Sequence, residues 1–143
     1  LEKLLLKMKI TRIWFDSDFI YGIDDTGNEY RQSLWWYPNL KDADNKARQN
    51  YTFGFAGIHW RDLNEDISFE SFLYPDAVPT ELQRFFLSHK EINVAEFAKR
   101  IGINPTLLRN YINGFKTPSK QRTEQIIKGI KELGEELLSA FEE

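Results

Sequence analysis

The sequence contains no cysteine and only two histidines, His59 and His89, which removes disulfide frameworks, thiol nucleophiles and cysteine-based zinc sites. Any metal chemistry would have to rest on carboxylates. No window approaches about 18 uninterrupted apolar residues, so no membrane span is expected, and no charged leader followed by an apolar stretch opens the chain, so no secretory signal is expected. The expected location is the cytoplasm. Basic residues are in the minority too: 19 Lys and Arg against 22 Asp and Glu give a net charge of −3, which taken alone argues against a nucleic-acid partner.

What is present suffices for folding. A chain of 143 residues, 41% apolar and 15% aromatic, can bury a core and is too aromatic for a disordered segment. Its length fits one ordinary domain or two very small ones, not a large multi-site enzyme.

The net charge hides a segregation. Leu1 to Val78 carries nine basic and thirteen acidic residues, whereas Pro79 to Glu143 carries ten and nine. All ten bases of the second half fall between Arg84 and Lys131 with only three acids, Glu91, Glu96 and Glu124, a local excess of +7, and the tail from Glu132 holds five acids and no base. Such a block is either a set of solvated helix faces or a phosphate-facing surface.

The halves also differ in period. The opening Leu1-Glu2-Lys3-Leu4-Leu5-Leu6-Lys7 lacks an initiator methionine and precedes Met8; no function is assigned to it. From Lys9 to Ser33 strand-like runs alternate with the turn signals Asp16-Ser17-Asp18 and Asp24-Asp25-Thr26-Gly27-Asn28, which predicts an antiparallel meander. Pro38 to Asn50 reads as a short helix or a loop. Tyr51 to Trp60, interrupted by Gly54 and Gly57, reads as one strand with a bulge, and Ser68 opens a short helical run to Pro75. The two prolines of Tyr74-Pro75-Asp76-Ala77-Val78-Pro79-Thr80 punctuate the chain, so the expected domains are 8–76 and 77–143. Beyond that boundary the apolar period is helical to the end and implies four or five helices.

One segment carries the chemistry. Asn93 caps a helix from Val94 with Glu96 at the capping-box position, and Gly102 ends it. After a tight turn, Asn104 caps a second helix with Pro105 in its first position, running to Asn113 and Gly114. Two helices joined this way form a helix-turn-helix, whose second helix enters the DNA major groove. The positions left outward on that helix are Thr106, Arg109, Asn110 and Asn113, spaced i, i+3, i+4, i+7, and their side chains suit base edges: Asn pairs with adenine, Arg with guanine, and the Thr methyl meets that of thymine. Lys99 and Arg100 on the first helix and Lys116, Lys120 and Arg122 after Gly114 flank it as phosphate contacts.

From Thr80 to about Leu133 the chain resembles the lambda-repressor-like helix-turn-helix proteins of the Xre type. The likeness is carried by Phe97-Ala98-Lys99-Arg100-Ile101-Gly102-Ile103-Asn104-Pro105-Thr106-Leu107-Leu108-Arg109-Asn110-Tyr111-Ile112-Asn113-Gly114 and by Lys116-Thr117-Pro118-Ser119. The resemblance implies base reading by Thr106, Arg109 and Asn110 and phosphate contact by Asn113 and Lys116. One departure is Val94, where the family commonly has a Gln that anchors the backbone. From Met8 to Asp76, through Asp24-Asp25-Thr26-Gly27 and the run from Gly57 to Leu73, the chain resembles a small bacterial α+β family of unknown function, sometimes fused to a helix-turn-helix. That likeness implies no catalytic activity, and its stand-alone members suggest toxin-antitoxin operons.

The remaining features read as structural. Trp35-Trp36-Tyr37, with Trp14 and Trp60, fit core and interface better than a ligand platform. The acidic groups Asp16/Asp18, Asp24/Asp25 and Asp62/Glu65/Asp66 each fall in an expected turn, where Asp bonds the backbone, and none follows the EF-hand order. His59 has no nearby cysteine or nucleophile and reads as a satisfied histidine. The expectation is therefore an α+β protein with a β-meander domain followed by an all-α helix-turn-helix domain. It is read as a DNA-binding homodimer and transcriptional regulator, not an enzyme, without cofactor or metal. The alternative is a protein-interaction module or antitoxin-like neutraliser, and in either case the N-terminal domain is a candidate for holding a partner protein.

Overall fold

Asp16 and Asp24 create the first two turns. The Asp16 carboxylate accepts the N–H groups of Asp18 and Phe19 at 2.9 and 2.7 Å and the Tyr21 hydroxyl at 2.5 Å. Asp24 Oδ1 accepts from Thr26 N–H and Oγ1 and from Asn28 N–H at 2.8–2.9 Å, while Tyr30 donates to Oδ2. Gly27, at φ 89°, supplies the left-handed residue the second turn requires. These turns join β1 (Ile10–Phe15), β2 (Phe19–Asp24) and β3 (Glu29–Ser33) into an antiparallel meander with Ile13 opposite Gly22 and Ile20 opposite Gln32. A computed structural model describes residues 8–142; the Leu1 to Lys7 stretch lies outside them.

Two single-turn helices follow, α1 (Pro38–Lys41) and α2 (Asn45–Arg48), the second capped by the Asp44 side chain on Ala47 N–H at 2.8 Å. The expected single strand from Tyr51 to Trp60 is instead a hairpin. Gly54 N–H donates to Gly57 O at 2.7 Å, turning the chain between β4 (Thr52–Phe53) and β5 (Gly57–Trp60). A methyl on Gly57 would overlap Ile67 O, so this glycine permits the close approach of the next strand. That strand, β6 (Glu65–Ser68), corrects a second expectation, because Glu65 and Asp66 lie in a ladder and not in a turn. Glu65 is buried and accepts Asn39 N–H at 3.1 Å; Asp66 meets His59 Nδ1 at 2.6 Å on the exposed face.

The chain divides into two compact units, Leu1–Pro79 and Thr80–Glu143. With two three-stranded antiparallel sheets in the first and helices in the second, the fold class is mixed α+β. The first unit's core gathers Ile10, Ile20, Leu34, Leu40, Ile58, Ile67 and Phe72 around a fully buried Trp60, whose indole N–H donates to Arg48 O at 2.9 Å. Its aromatic residues divide: Trp60 is core, whereas Trp35 is exposed with Lys41 Nζ 4.5 Å over its ring, and Trp36 donates to Ala77 O at 3.0 Å. Burial pushes the half-buried Tyr37 hydroxyl up to about 12.

The second unit has four helices among the described residues: α3 (Glu81–Ser88), α4 (Val94–Ile101), α5 (Pro105–Ile112) and α6 (Lys120–Ser139). Each start is capped by a side chain, from Thr80, Asn93, Asn104 and Ser119 respectively, which satisfies N–H groups that no helix can pair internally. Phe86, Phe97, Ala98, Ile103, Leu108, Ile112 and Ile126 form the core.

Candidate nucleic-acid interface

The connection between α4 and α5 is set by three residues. Gly102 adopts φ 77°, a left-handed conformation that ends α4, and Ile103 N–H returns to Ala98 O at 2.9 Å. Asn104 then caps α5 by accepting from Thr106 N–H at 2.9 Å and Leu107 N–H at 3.3 Å. The short turn lets α5 cross close to the small, fully buried Ala98. Ile103 and Leu108 fill the angle between the helices, and the Gln83 amide donates to Tyr111 O at 2.8 Å, tying α3 to the end of α5.

With Leu108 and Ile112 buried, the opposite face of α5 is turned to solvent, and Thr106, Arg109 and Asn113 are exposed on it. Asn110 is half-buried, and its backbone carbonyl anchors the following loop. Phe115 N–H and Lys116 N–H both donate to Asn110 O, at 2.9 and 3.2 Å, around Gly114 at φ 83°. Lys116 is thereby fixed beside the end of α5, and Lys120 follows at the start of α6. Arg109, Lys116 and Lys120 make no ion pair among the described residues.

The other expected phosphate contacts, Lys99, Arg100 and Arg122, have partners. Lys99 meets Glu96 at 3.2 Å. Arg100 pairs with Glu136, and the hydrogen bond from its guanidinium holds the Glu136 carboxyl below its ordinary value. Glu136 lies roughly 24 Å along the helix from Lys120 at 1.5 Å rise per residue, so Arg100 is not gathered with Arg109, Lys116 and Lys120. Arg122 is half-buried and donates to Gln125 Oε1 at 3.3 Å. The expected phosphate contacts thus separate: Lys99 and Arg100 on α4 and Arg122 on α6 hold partners, whereas Asn113, Lys116 and Lys120 are exposed at or after the end of α5.

Sequence reasoning missed Phe115, 78% exposed between Gly114 and Lys116. The available signal was an apolar residue following a helix-ending glycine, where no helical face remains to bury it.

Residues 10–78 match the profile of a family described as "Protein of unknown function (DUF2442)". The matched segment lies within the first unit and stops before α3. No curated protein sequence and no solved structure matches the chain. No helix among the described residues is long and apolar enough to cross a membrane.

Proposed function

We propose that the second unit binds double-stranded DNA, with α5 in the major groove, and that the protein is a dimeric transcriptional regulator. The observation that carries this reading is the paired geometry at α5. A capped helix presents Thr106 and Arg109 outward, with Asn110 partly reachable, and Lys116 and Lys120 follow it without an ion pair among the described residues. Phosphate contacts fix the register of such a helix and base contacts specify the sequence. The division of labour follows: Thr106, Arg109 and Asn110 read bases, while Asn113, Lys116 and Lys120 hold the backbone. The resemblance to Xre-type proteins supports the same assignment. The reading is of a cytoplasmic binding protein and not of an enzyme.

A protein partner is the second reading, and Phe115 favours it, because an exposed aromatic ring beside a polar stripe suits a protein interface. One experiment separates them. Genomic fragments are selected on the protein, and the enriched duplex is titrated at several salt concentrations. Asn110→Ala is expected to cost about 1–3 kcal/mol on the selected duplex and relax preference at one position, whereas Lys116→Ala weakens all duplexes alike and lowers the salt slope by about one. No binding by the unaltered protein, or equal and salt-independent losses in both variants, would transfer the surface to a protein partner.

A further inference from the structure

The β1–β2–β3 sheet keeps one face for the core. Ile13 and Phe15 of β1, Ile20 of β2 and Tyr30 of β3 pack inward, and a methyl on Gly22 would press on Ile10 and Phe72. Side chains alternate along a strand, so the other face carries the residues between these. Register sets them in rows across β1, β2 and β3. Arg12, Ile23 and Glu29 make the first row, and Trp14, Tyr21 and Arg31 the second. Asp16, just past β1, opens the third, where its N–H donates to Phe19 O at 3.1 Å. The middle of the face is apolar and ordered: the Trp14 and Tyr21 rings stack at 5.8 Å and 10°, and Phe19 lies 6.2 Å from Tyr21. The four charged residues at its sides are exposed.

The outer charges do not close on one another within the chain. Arg12 and Glu29 make no ion pair among the described residues. They stand two strands apart in one row, and the Arg12 guanidinium lies 4.9 Å over the Trp14 ring. On β3, Arg31 lies 4.7 Å over the Phe19 ring, which carries its charge toward the third row, and it meets the exposed Asp76 at 3.6 Å. The β1 side of the face therefore reads positive then negative, from Arg12 to Asp16, and the β3 side negative then positive, from Glu29 to Arg31. At the rim, Asp18 pairs with Lys41 at 4.0 Å, and beyond the first row Lys9 precedes β1 while Asp25 stands in the β2–β3 turn. The four charges on the face sum to zero, so a polyanion finds no excess to neutralise. A second surface of the same make, turned about, offers an opposite for each.

We propose that this face is covered by a second copy of the chain, sheet against sheet, about a two-fold axis that runs along β2. The proposal supplies the seam for the dimer of the preceding reading but needs no DNA. Sheets that pack face to face lie about 10 Å apart with strands within about 30° of each other, and this axis sets β1 over β3 of the partner subunit, row on row. Arg12 then comes opposite Glu29 of the partner subunit, and Asp16 opposite the guanidinium of Arg31 of the partner subunit. Lys9 is directed at the turn that holds Asp25 of the partner subunit. Phe19, Tyr21 and Ile23 lie on the axis and meet their own counterparts, as an isologous interface requires. An axis across the strands is worse, because it sets Arg31 against Arg31 of the partner subunit and leaves Glu29 unmatched. A face of three short strands is smaller than the roughly 800 Å² per partner of a standard interface, so the expected dissociation constant is micromolar.

The test uses the whole chain without DNA. Sedimentation equilibrium from low to high micromolar concentration should give a reversible dimer that weakens with added salt. Arg12→Glu and Glu29→Arg should each weaken it about tenfold or more, since each sets like charges together twice over, while the circular dichroism of the dilute protein stays unchanged. The decisive sample is an equimolar mixture of the two variants, which should dimerise again. The acid placed at position 12 of one chain then meets the base placed at position 29 of the other, and the unaltered Glu29 and Arg12 meet in the second pair. Misfolding in either variant would not be repaired by mixing. A strictly monomeric protein, a dimer indifferent to both variants, or a mixture that stays monomeric overturns the proposal. A dimer broken by Arg12→Glu but indifferent to Glu29→Arg overturns it too and points to the axis across the strands. Dimerisation without DNA binding fails the preceding reading only, and DNA binding by a monomer fails this one only.

Discussion

In the first unit carboxylates turn back on the chain that carries them. Asp16 and Asp24 accept backbone N–H groups and tyrosine hydroxyls, and Glu65 is buried against Asn39 N–H. In the second unit, Arg109, Lys116 and Lys120 pair with no acid among the described residues, and Thr106, Arg109 and Asn113 on the outer face of α5 are exposed. Polar groups already satisfied inside a fold contribute to its stability and have little left to offer a ligand. Polar groups held on a rigid frame without partners are poised for one. On the proposed reading, these carboxylates of the first unit serve its stability and the cations around α5 serve binding.

The largest effect that can break this comparison comes from the first core. Trp60→Ala removes a fully buried indole that packs against Phe15 and Tyr51 and leaves Arg48 O without its donor. The expected cost is about 3–5 kcal/mol. Calorimetry should show the first unit's transition falling steeply while the α6-dominated helical signal melts where it did, and DNA affinity measured below both transitions should hold. A common fall of both transitions would mean that the two units share one cooperative core and that the division of roles is not a division of stability.

A smaller effect separates the units by pH. Burial alone would raise the Asp24 carboxyl, but the hydrogen bonds from Thr26, Asn28 and Tyr30 outweigh it and hold the group at about 2. A carboxyl depressed in the folded state stabilises above its unfolded value, near 3.9, and loses that contribution as pH falls through the folded value. The first unit should therefore weaken between about pH 4 and pH 2, and Asp24→Asn should be less stable at neutral pH but flatter across that window. Urea midpoints followed by tryptophan fluorescence read it, because all four tryptophans, Trp14, Trp35, Trp36 and Trp60, lie in the first unit. An equally steep acid loss in Asp24→Asn would remove the Asp24 turn from the account.

Much of this was legible because it is local. The meander could be read from Asp16 and Asp24, whose side chains bond residues two to six positions on, and the limits of α4 and α5 from Asn93, Gly102, Asn104, Pro105 and Gly114, which act within one turn. What was lost is non-local or too short for a period. β4 spans only Thr52 and Phe53, fewer residues than any alternation needs, so the hairpin around Gly54 read as a bulge. Glu65 conceals β6 by placing a carboxylate at an inward position that the pattern reserves for apolar residues. Arg100 looked like a phosphate contact because its partner Glu136 is 36 residues away, and the exposure of Phe115 depends on where α5 ends in space.

The smallest effect sharpens the comparison best, since it applies the same strain to both units. Gly27 and Gly102 stand at φ 89° and 77°, each with open space where a Cβ would lie. Alanine at either position therefore meets no steric obstacle and carries only the left-handed backbone cost, about 1–2 kcal/mol. The two variants should lose similar stability in urea titrations, one in each unit. Their consequences for binding should differ. Gly102→Ala relieves its strain by shifting the angle between α4 and α5, which displaces Arg109 and Asn110 from Lys116, so affinity for the selected duplex should fall further than stability does. Gly27→Ala strains a turn whose polar groups are already satisfied by Asp24, and affinity should be unchanged. Equal losses of affinity in the two variants would mean that binding draws on both units, and unchanged affinity in Gly102→Ala would detach the α4–α5 turn from recognition.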